Sequence, residues 1–107
     1  PGTHDNDTVR GWWRGLDAPT RARVVATTGG TAGSVAWDLW RAACGTAAHT
    51  AIAQAQDLLE LPGSTRTNVP GKARGNWRWR PAPGALDAHL AARTRDLLDA
   101  TDRLPRS

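Results

Sequence analysis

The chain has 107 residues, enough for one small domain, and its single cysteine excludes an internal disulfide bond. No apolar run approaches the roughly 20 residues that span a membrane, so we expect no membrane partner. The formal net charge is +4, but the 14 basic residues are interleaved with 10 acids rather than gathered in one stripe. We therefore expect no nucleic-acid partner.

Large apolar residues are scarce. The sequence has ten Leu, five Val and one Ile, no Phe, Tyr or Met, and six Trp that only partly offset the shortage. This composition is a warning sign for independent folding. We expect residues 1–107 to be the C-terminal part of one larger domain, and the isolated chain not to fold cooperatively. The lone cysteine and the absence of a recognisable secretory segment predict a cytoplasmic location.

The chain opens on a polar run, GTHDNDT at residues 2–8, which precedes the pair Trp12 and Trp13. Such residues commonly cap helices and form local turns. They also suit a site for a polyhydroxylated ligand, because carboxylates accept from sugar hydroxyls and indole rings cover apolar sugar faces. The residue types alone leave both interpretations open.

The middle of the chain predicts a turn, a loop and a helix. Residues 16–19 indicate a turn, residues 20–26 a short helix or an irregular segment, and the glycine-rich residues 27–33 a loop. Ser34 is the predicted N-cap of a helix over residues 35–48. One face of that helix forms a predicted core stripe of Ala36, Trp40, Ala43, Cys44 and Ala47.

The second half predicts a buried strand and a final helix. Residues 50–55 form a short, mostly apolar run that periodicity alone leaves ambiguous, because alanine is a poor strand former. A buried strand of a parallel sheet fits this run, with Asp57 capping a short helix over residues 58–61. Residues 64–75 indicate a loop, after which Trp77 and Trp79 are expected to pack inward. Residues 86–104 predict a helix with one leucine-rich face. The cysteine and the histidines, His4 among them, lack metal-ligand spacing, so we expect neither a metal nor a cofactor.

Three runs, in this order, resemble one family. They are residues 2–8 with Gly11, Trp12 and Trp13; Gln56-Asp57-Leu58-Leu59; and Asn68-Val69-Pro70-Gly71 leading to Gly75-Asn76-Trp77-Arg78-Trp79-Arg80. Together they are similar to the 4-α-glucanotransferases, also called amylomaltases or disproportionating enzymes. The sequence departs from the family pattern at Gln54-Ala55, where Pro-Leu is usual, and at Thr67, where Met is usual.

The resemblance implies an α/β fold: a (β/α)8 barrel of which this chain supplies the end of strand seven through the last helix. It implies retaining transfer of α-1,4-glucan segments between maltooligosaccharides, with the nucleophile and the acid/base upstream of residue 1. Asp5 would be the catalytic carboxylate that stabilises the transition state, and His4 and Asn68 would bind the substrate. Asp7 would support the loop. The isolated chain is expected to be inactive, and a non-catalytic carbohydrate-binding remnant is the alternative.

Overall fold

The computed structural model describes residues 5–104, and within that range the backbone is helical or irregular. Five α-helices follow in chain order: α1 (Val9–Arg14), α2 (Ala18–Thr28), α3 (Val35–Cys44), α4 (Ala55–Leu58) and α5 (Ala88–Ala100). Two 3-10 helices, Ala32–Ser34 and Gly63–Thr65, precede α3 and follow α4. No helix in the described range is long and apolar enough to cross a bilayer.

Side-chain caps start the first two helices. Thr8 is fully buried, and its hydroxyl accepts a hydrogen bond from the Gly11 N–H at 3.1 Å, which caps α1. The Asp17 carboxylate accepts from the Thr20 N–H at 2.8 Å and caps α2. The turn predicted at residues 16–19 is therefore wrong in its second half, because an Asp followed by a proline in the first turn is also a helix start.

Helix α3 is the central element, and it ends four residues earlier than predicted. Gly45 takes the C-cap position after Cys44. Ser34 precedes the helix as predicted, but its hydroxyl donates to the Asp38 carboxylate at 2.8 Å and makes no cap hydrogen bond to the backbone. The local hydroxyl–carboxylate contact replaces the expected side chain–backbone one.

Two hydrophobic clusters contain residues of α3. The first contains Val9, Trp13, Val35 and Ala36, and joins α1 and α2 to α3. The second contains Trp37, Trp40, Cys44 and Leu97, and joins α4 and α5 to α3. The predicted core stripe is confirmed at Ala36, Trp40 and Cys44, whereas Ala47 lies beyond the helix and is exposed. Because α3 contributes to two clusters, Trp37 is buried as well, which a single stripe does not predict.

The strand predicted over residues 50–55 is not formed in the described range. Gln54 has extended backbone angles, but α4 begins at Ala55, and residues 5–104 contain no strand that could pair with this segment. A strand needs hydrogen bonds to a neighbouring strand. The end of strand seven, expected at the start of the chain, falls on residues 1–4, outside the described range. The helix predicted over residues 58–61 is also wrong, since α4 lies three residues earlier.

Helix α5 is shorter than predicted and is fastened at both ends. The Asp87 carboxylate caps it by accepting from the Leu90 N–H at 2.8 Å. Leu97 is 4% exposed, but Leu86 precedes the helix and is 57% exposed, so the predicted leucine face is buried only in part. After the helix, the Arg103 guanidinium donates to the carbonyls of Cys44, Thr46 and Ala48, which ties the end of α5 to the end of α3.

Candidate functional site

Two of the three predicted site residues lie in contact. The Asn68 side-chain amide donates to the Asp5 carboxylate, with 2.7 Å between Nδ2 and Oδ1, although 63 residues separate them in the chain. Asp5 is exposed and Asn68 is half-buried. The third residue, His4, lies outside the described residues. The contact therefore joins the opening polar run to the second loop that the resemblance singled out.

Arg66 fastens the backbones of the same two residues. Its Nε donates to the Asn68 carbonyl at 3.1 Å, and one terminal nitrogen donates to the Asp5 carbonyl at 3.2 Å. A guanidinium presents several donors in a rigid plane, so one side chain can hold two carbonyls at a fixed separation. No sequence motif marked Arg66 as a site residue. Its position two residues before Asn68 was the available signal.

A buried glutamine holds the segment that carries Arg66. Gln56 is 4% exposed, and its Nε2 donates to the Thr65 carbonyl at 3.0 Å and to the Thr67 hydroxyl at 3.1 Å. These acceptors flank Arg66 in the chain. A buried amide that makes two such bonds is strongly constrained, because loss of either partner would leave a polar group desolvated. Helix α4 thereby sets the course of the loop that reaches the site.

The loop after Asn68 is closed by its own hydrogen bonds. Asn76 accepts from the Val69 N–H at 2.9 Å and donates to the Lys72 carbonyl at 2.7 Å, and the Trp77 N–H donates to the Thr67 carbonyl at 2.6 Å. Trp77 has a left-handed φ of 60° and is 64% exposed. The prediction that Trp77 packs inward is wrong: alternating Trp and Arg residues point to opposite sides only on an extended backbone, and this backbone turns at Trp77.

Asp7 is half-buried, and its carboxylate contacts backbone. Its Oδ1 accepts from the Thr8 N–H at 2.7 Å, and its carboxylate lies against Gly11 and Gly63. A Cβ added at Gly63 would come within 2.7 Å of that oxygen, and one added at Gly11 would collide with it. A methyl group added at either position would force the carboxylate to move. These contacts support the expectation that Asp7 is a loop-supporting residue.

Asp57 caps a helix remote from it in the sequence. Its Oδ1 accepts from the Val9 N–H at 2.8 Å, at the first residue of α1, 48 positions away. The prediction that it caps the helix after it is wrong, because α4 contains Asp57 and the carboxylate turns toward α1. The side chain is 3% exposed, and Oδ2 has no hydrogen-bond partner among residues 5–104. Burial raises the pKa of this carboxyl, the negative charge of Asp7 also raises it, and the Val9 bond opposes both.

The Asp5 carboxylate is exposed to solvent on a loop that is held by hydrogen bonds. Asp5 offers acceptor oxygens, and the Asn68 amide and Arg66 guanidinium hold its side chain and its backbone. Among residues 5–104, no group of three or more His, Cys, Asp or Glu side chains is arranged to hold a metal ion. Carboxylate and amide side chains in contact can share the neighbouring hydroxyls of a sugar, which suits the ligand that the opening run suggested.

A family comparison decides the relationship. The family model described as 4-alpha-glucanotransferase, glycoside hydrolase family 77, matches residues 1–85, which include Asp5 and Asn68. The chain belongs to the 4-α-glucanotransferase family. The resemblance seen in the three sequence runs is thereby confirmed.

Relatives and a solved structure agree with the family. The 4-α-glucanotransferase of Thermus thermophilus is 39% identical over 96% of this chain, and the chloroplastic/amyloplastic one of Arabidopsis thaliana is 41% identical over 96%. An amylomaltase from Streptococcus agalactiae in complex with acarbose superimposes with a TM-score of 0.90 over 97% of the chain, at 28% identity. The chain spans 22%, 19% and 21% of these three 4-α-glucanotransferase family members, about a fifth of their length.

Proposed function

We propose that the protein to which this chain belongs is a 4-α-glucanotransferase that moves α-1,4-glucan segments between maltooligosaccharides. Family membership and the names of the relatives support the reaction class. The structural neighbour is described in complex with acarbose, which supports a glucan-type ligand for the corresponding site here. No cofactor enters this proposal.

The observation that carries the proposal is the contact between Asp5 and Asn68. An exposed carboxylate is held at 2.7 Å by an amide from a loop 63 residues away, and both belong to the runs that resemble the family. A carboxylate presented in this way can accept hydrogen bonds from two neighbouring sugar hydroxyls. A loop braced on both sides keeps that carboxylate in one position, as a catalytic group requires.

Asp5 acts in this proposal by stabilising a transition state. Retaining glycosyl transfer passes through an oxocarbenium-like state with developing positive charge on the sugar ring. A fixed carboxylate that hydrogen-bonds the ring hydroxyls binds this state more strongly than the neutral ground state, so it raises turnover more than affinity. His4 and Asn68 bind the same sugar, and Asn68 also holds Asp5.

The remaining machinery lies outside these 107 residues. Retaining transfer needs a nucleophilic carboxylate and an acid/base carboxyl about 5 Å apart. We assign neither to this chain and place both upstream of residue 1. The chain would then form the last part of a (β/α)8 barrel, with residues 50–54 paired as a strand by neighbours from elsewhere in that barrel and Asp5 at its carboxyl mouth.

The location of the protein stays a prediction. The lone cysteine favours a reducing compartment, and we propose the cytoplasm. The relative from Arabidopsis thaliana is named as chloroplastic/amyloplastic, so members of the family also occur in plastids.

The test compares two isosteric variants of the complete protein, Asp5→Asn and Asp7→Asn. Loss of a charge-assisted hydrogen bond where positive charge develops costs about 3–5 kcal/mol, so Asp5→Asn should lower turnover by roughly a hundred- to several-thousand-fold. Ground-state binding should change far less. Asp7→Asn should lower thermal stability more than turnover, because Asp7 contacts backbone. Glucose release and chain redistribution from maltotriose measure the activity.

Three results would contradict the proposal. Near-normal turnover in Asp5→Asn would remove the catalytic assignment of Asp5. A larger loss of turnover in Asp7→Asn than in Asp5→Asn would assign the catalytic role to Asp7. Binding of maltooligosaccharide by the complete protein without any transfer would support the carbohydrate-binding remnant instead. The 107-residue chain alone should show no transfer, since the proposal places the nucleophile and the acid/base elsewhere.

A further inference from the structure

We propose that Arg66 is the residue that positions the catalytic carboxylate, by holding the Asp5 loop and the Asn68 loop at a fixed separation. This inference rests on the proposed function of Asp5. It assigns Arg66 no contact with substrate. Its role is to act through the two residues that it fastens.

The contacts form a closed arrangement. Arg66 donates to the backbone carbonyls of Asp5 and Asn68, and the Asn68 side chain donates back to the Asp5 carboxylate. Arg66 therefore fixes the two backbones relative to each other, and the Asn68 amide fixes the position of the Asp5 carboxylate. Arg66 adds two backbone hydrogen bonds to the Asn68–Asp5 side-chain bond, and a bond between a half-buried and an exposed side chain is easily broken by water.

The segment that carries Arg66 is itself held by hydrogen bonds. The buried Gln56 amide holds the Thr65 carbonyl and the Thr67 hydroxyl on either side of Arg66, and the Trp77 N–H holds the Thr67 carbonyl at 2.6 Å. The Arg66 backbone is thus fixed to helix α4, which packs against α3. Arg66 can position Asp5 only if the backbone of Arg66 is itself held in place. This chain of contacts runs from the core to an exposed carboxylate, as a supporting layer for a catalytic group should.

Alignment affects turnover more than binding. A small displacement of a catalytic group can cost orders of magnitude in rate, because the bond that matters forms fully only in the transition state. Loss of Arg66 should therefore lower kcat with little change in KM. A residue that only stabilised the fold would lower the melting temperature and the fraction of active protein, and would leave the kcat of the folded fraction unchanged.

The experiment uses Arg66→Met and Arg66→Lys in the complete protein, each alone and combined with Asp5→Asn. Arg66→Met should lower kcat by roughly 10- to 100-fold, the range for lost hydrogen bonds from a charged donor, with KM changed less than about threefold. Arg66→Lys should lose less, because an ammonium group can reach one of the two carbonyls. In the Asp5→Asn background, Arg66→Met should lower kcat by a further factor of less than about three, because the carboxylate that Arg66 positions is already absent.

Arg23→Met on α2 is the matched control. It removes the same charge from an exposed arginine whose side-chain bond goes to the neighbouring Thr20, and its kcat should match the unmodified protein. Unchanged kcat in Arg66→Met would overturn the inference. The inference would also be overturned if Arg66→Met lowered kcat by the same factor in the unmodified protein and in Asp5→Asn. If Arg66→Met does not fold, unchanged kcat in Arg66→Lys would overturn it. Near-normal turnover in Asp5→Asn alone would instead refute the proposed function.

Discussion

Asp57 offers a sharp test of how a buried charge behaves in this fold. Asp57 is 3% exposed, one carboxylate oxygen accepts from the Val9 N–H at 2.8 Å, and the other has no hydrogen-bond partner among residues 5–104. Two substitutions in the complete protein separate its roles. Asp57→Ala removes the acceptor and the charge, whereas Asp57→Asn keeps an acceptor oxygen and removes only the charge.

The two variants should differ clearly in stability at neutral pH. In Asp57→Ala the buried Val9 N–H loses its acceptor, which costs about 1–3 kcal/mol, and a small cavity adds to this. In Asp57→Asn the amide oxygen still caps α1, and removal of a desolvated charge offsets the weaker bond. We expect a loss of less than about 1 kcal/mol, or a slight gain.

The pH dependence has a definite sign. Burial raises the pKa of Asp57 above its usual 3.8, so the folded protein binds this proton more tightly than the unfolded chain. The contribution of Asp57 to folding is fully present below 3.8 and is lost as the pH rises through the folded pKa. Asp57→Asn should remove this part of the stability profile. Asp17 is the matched control. Its hydrogen bonds with Thr20 lower the pKa of this exposed carboxyl, so its contribution to stability is lost as the pH falls, the opposite of Asp57.

The measurement is the melting temperature of each variant from neutral pH down to the lowest pH at which the protein remains folded. Equal destabilisation by Asp57→Asn and Asp57→Ala at neutral pH would refute the reasoning, since it would mean that the charge itself holds the helix. A parallel pH profile for Asp57→Asn and the unmodified protein would refute the pKa assignment.

Two further predictions concern packing. Gly63→Ala should destabilise the complete protein by roughly 1–3 kcal/mol, since its Cβ would come within 2.7 Å of the Asp7 carboxylate. Gly33→Ala, where the added Cβ meets its nearest atom at 4.0 Å, should lose far less, and equal melting temperatures for the two variants would contradict this. Trp37→Phe should cost about 2–4 kcal/mol, because the indole N–H donates to the Leu58 carbonyl at 3.0 Å from a buried position. Denaturant unfolding measures this, and an unchanged midpoint would contradict it.

The sequence by itself identified the family, and through that resemblance it drew attention to Asp5 and Asn68, two residues that lie in contact. The polar opening run and the loop around Asn68 were recognisable because their residue types follow one another in a fixed order. The structure brings Asp5 and Asn68 to 2.7 Å. The core positions of α3 were predictable at Ala36, Trp40 and Cys44, because a helix that packs on a core repeats its apolar residues every three or four positions.

Only the tertiary structure decided where the long-range partners lie. The sequence pattern predicts that Asp57 caps a helix directly after it, but Asp57 lies within α4 and its carboxylate reaches Val9 on another helix. Arg66 carries no pattern of its own, and its role depends on two carbonyls that the fold brings within reach. The mostly apolar residues 50–55 are compatible with a buried strand, but alanine is a poor strand former and a strand exists only where a neighbour supplies hydrogen bonds. Periodicity reports which face of an element is apolar, whereas side-chain and backbone partners distant in sequence are selected by packing.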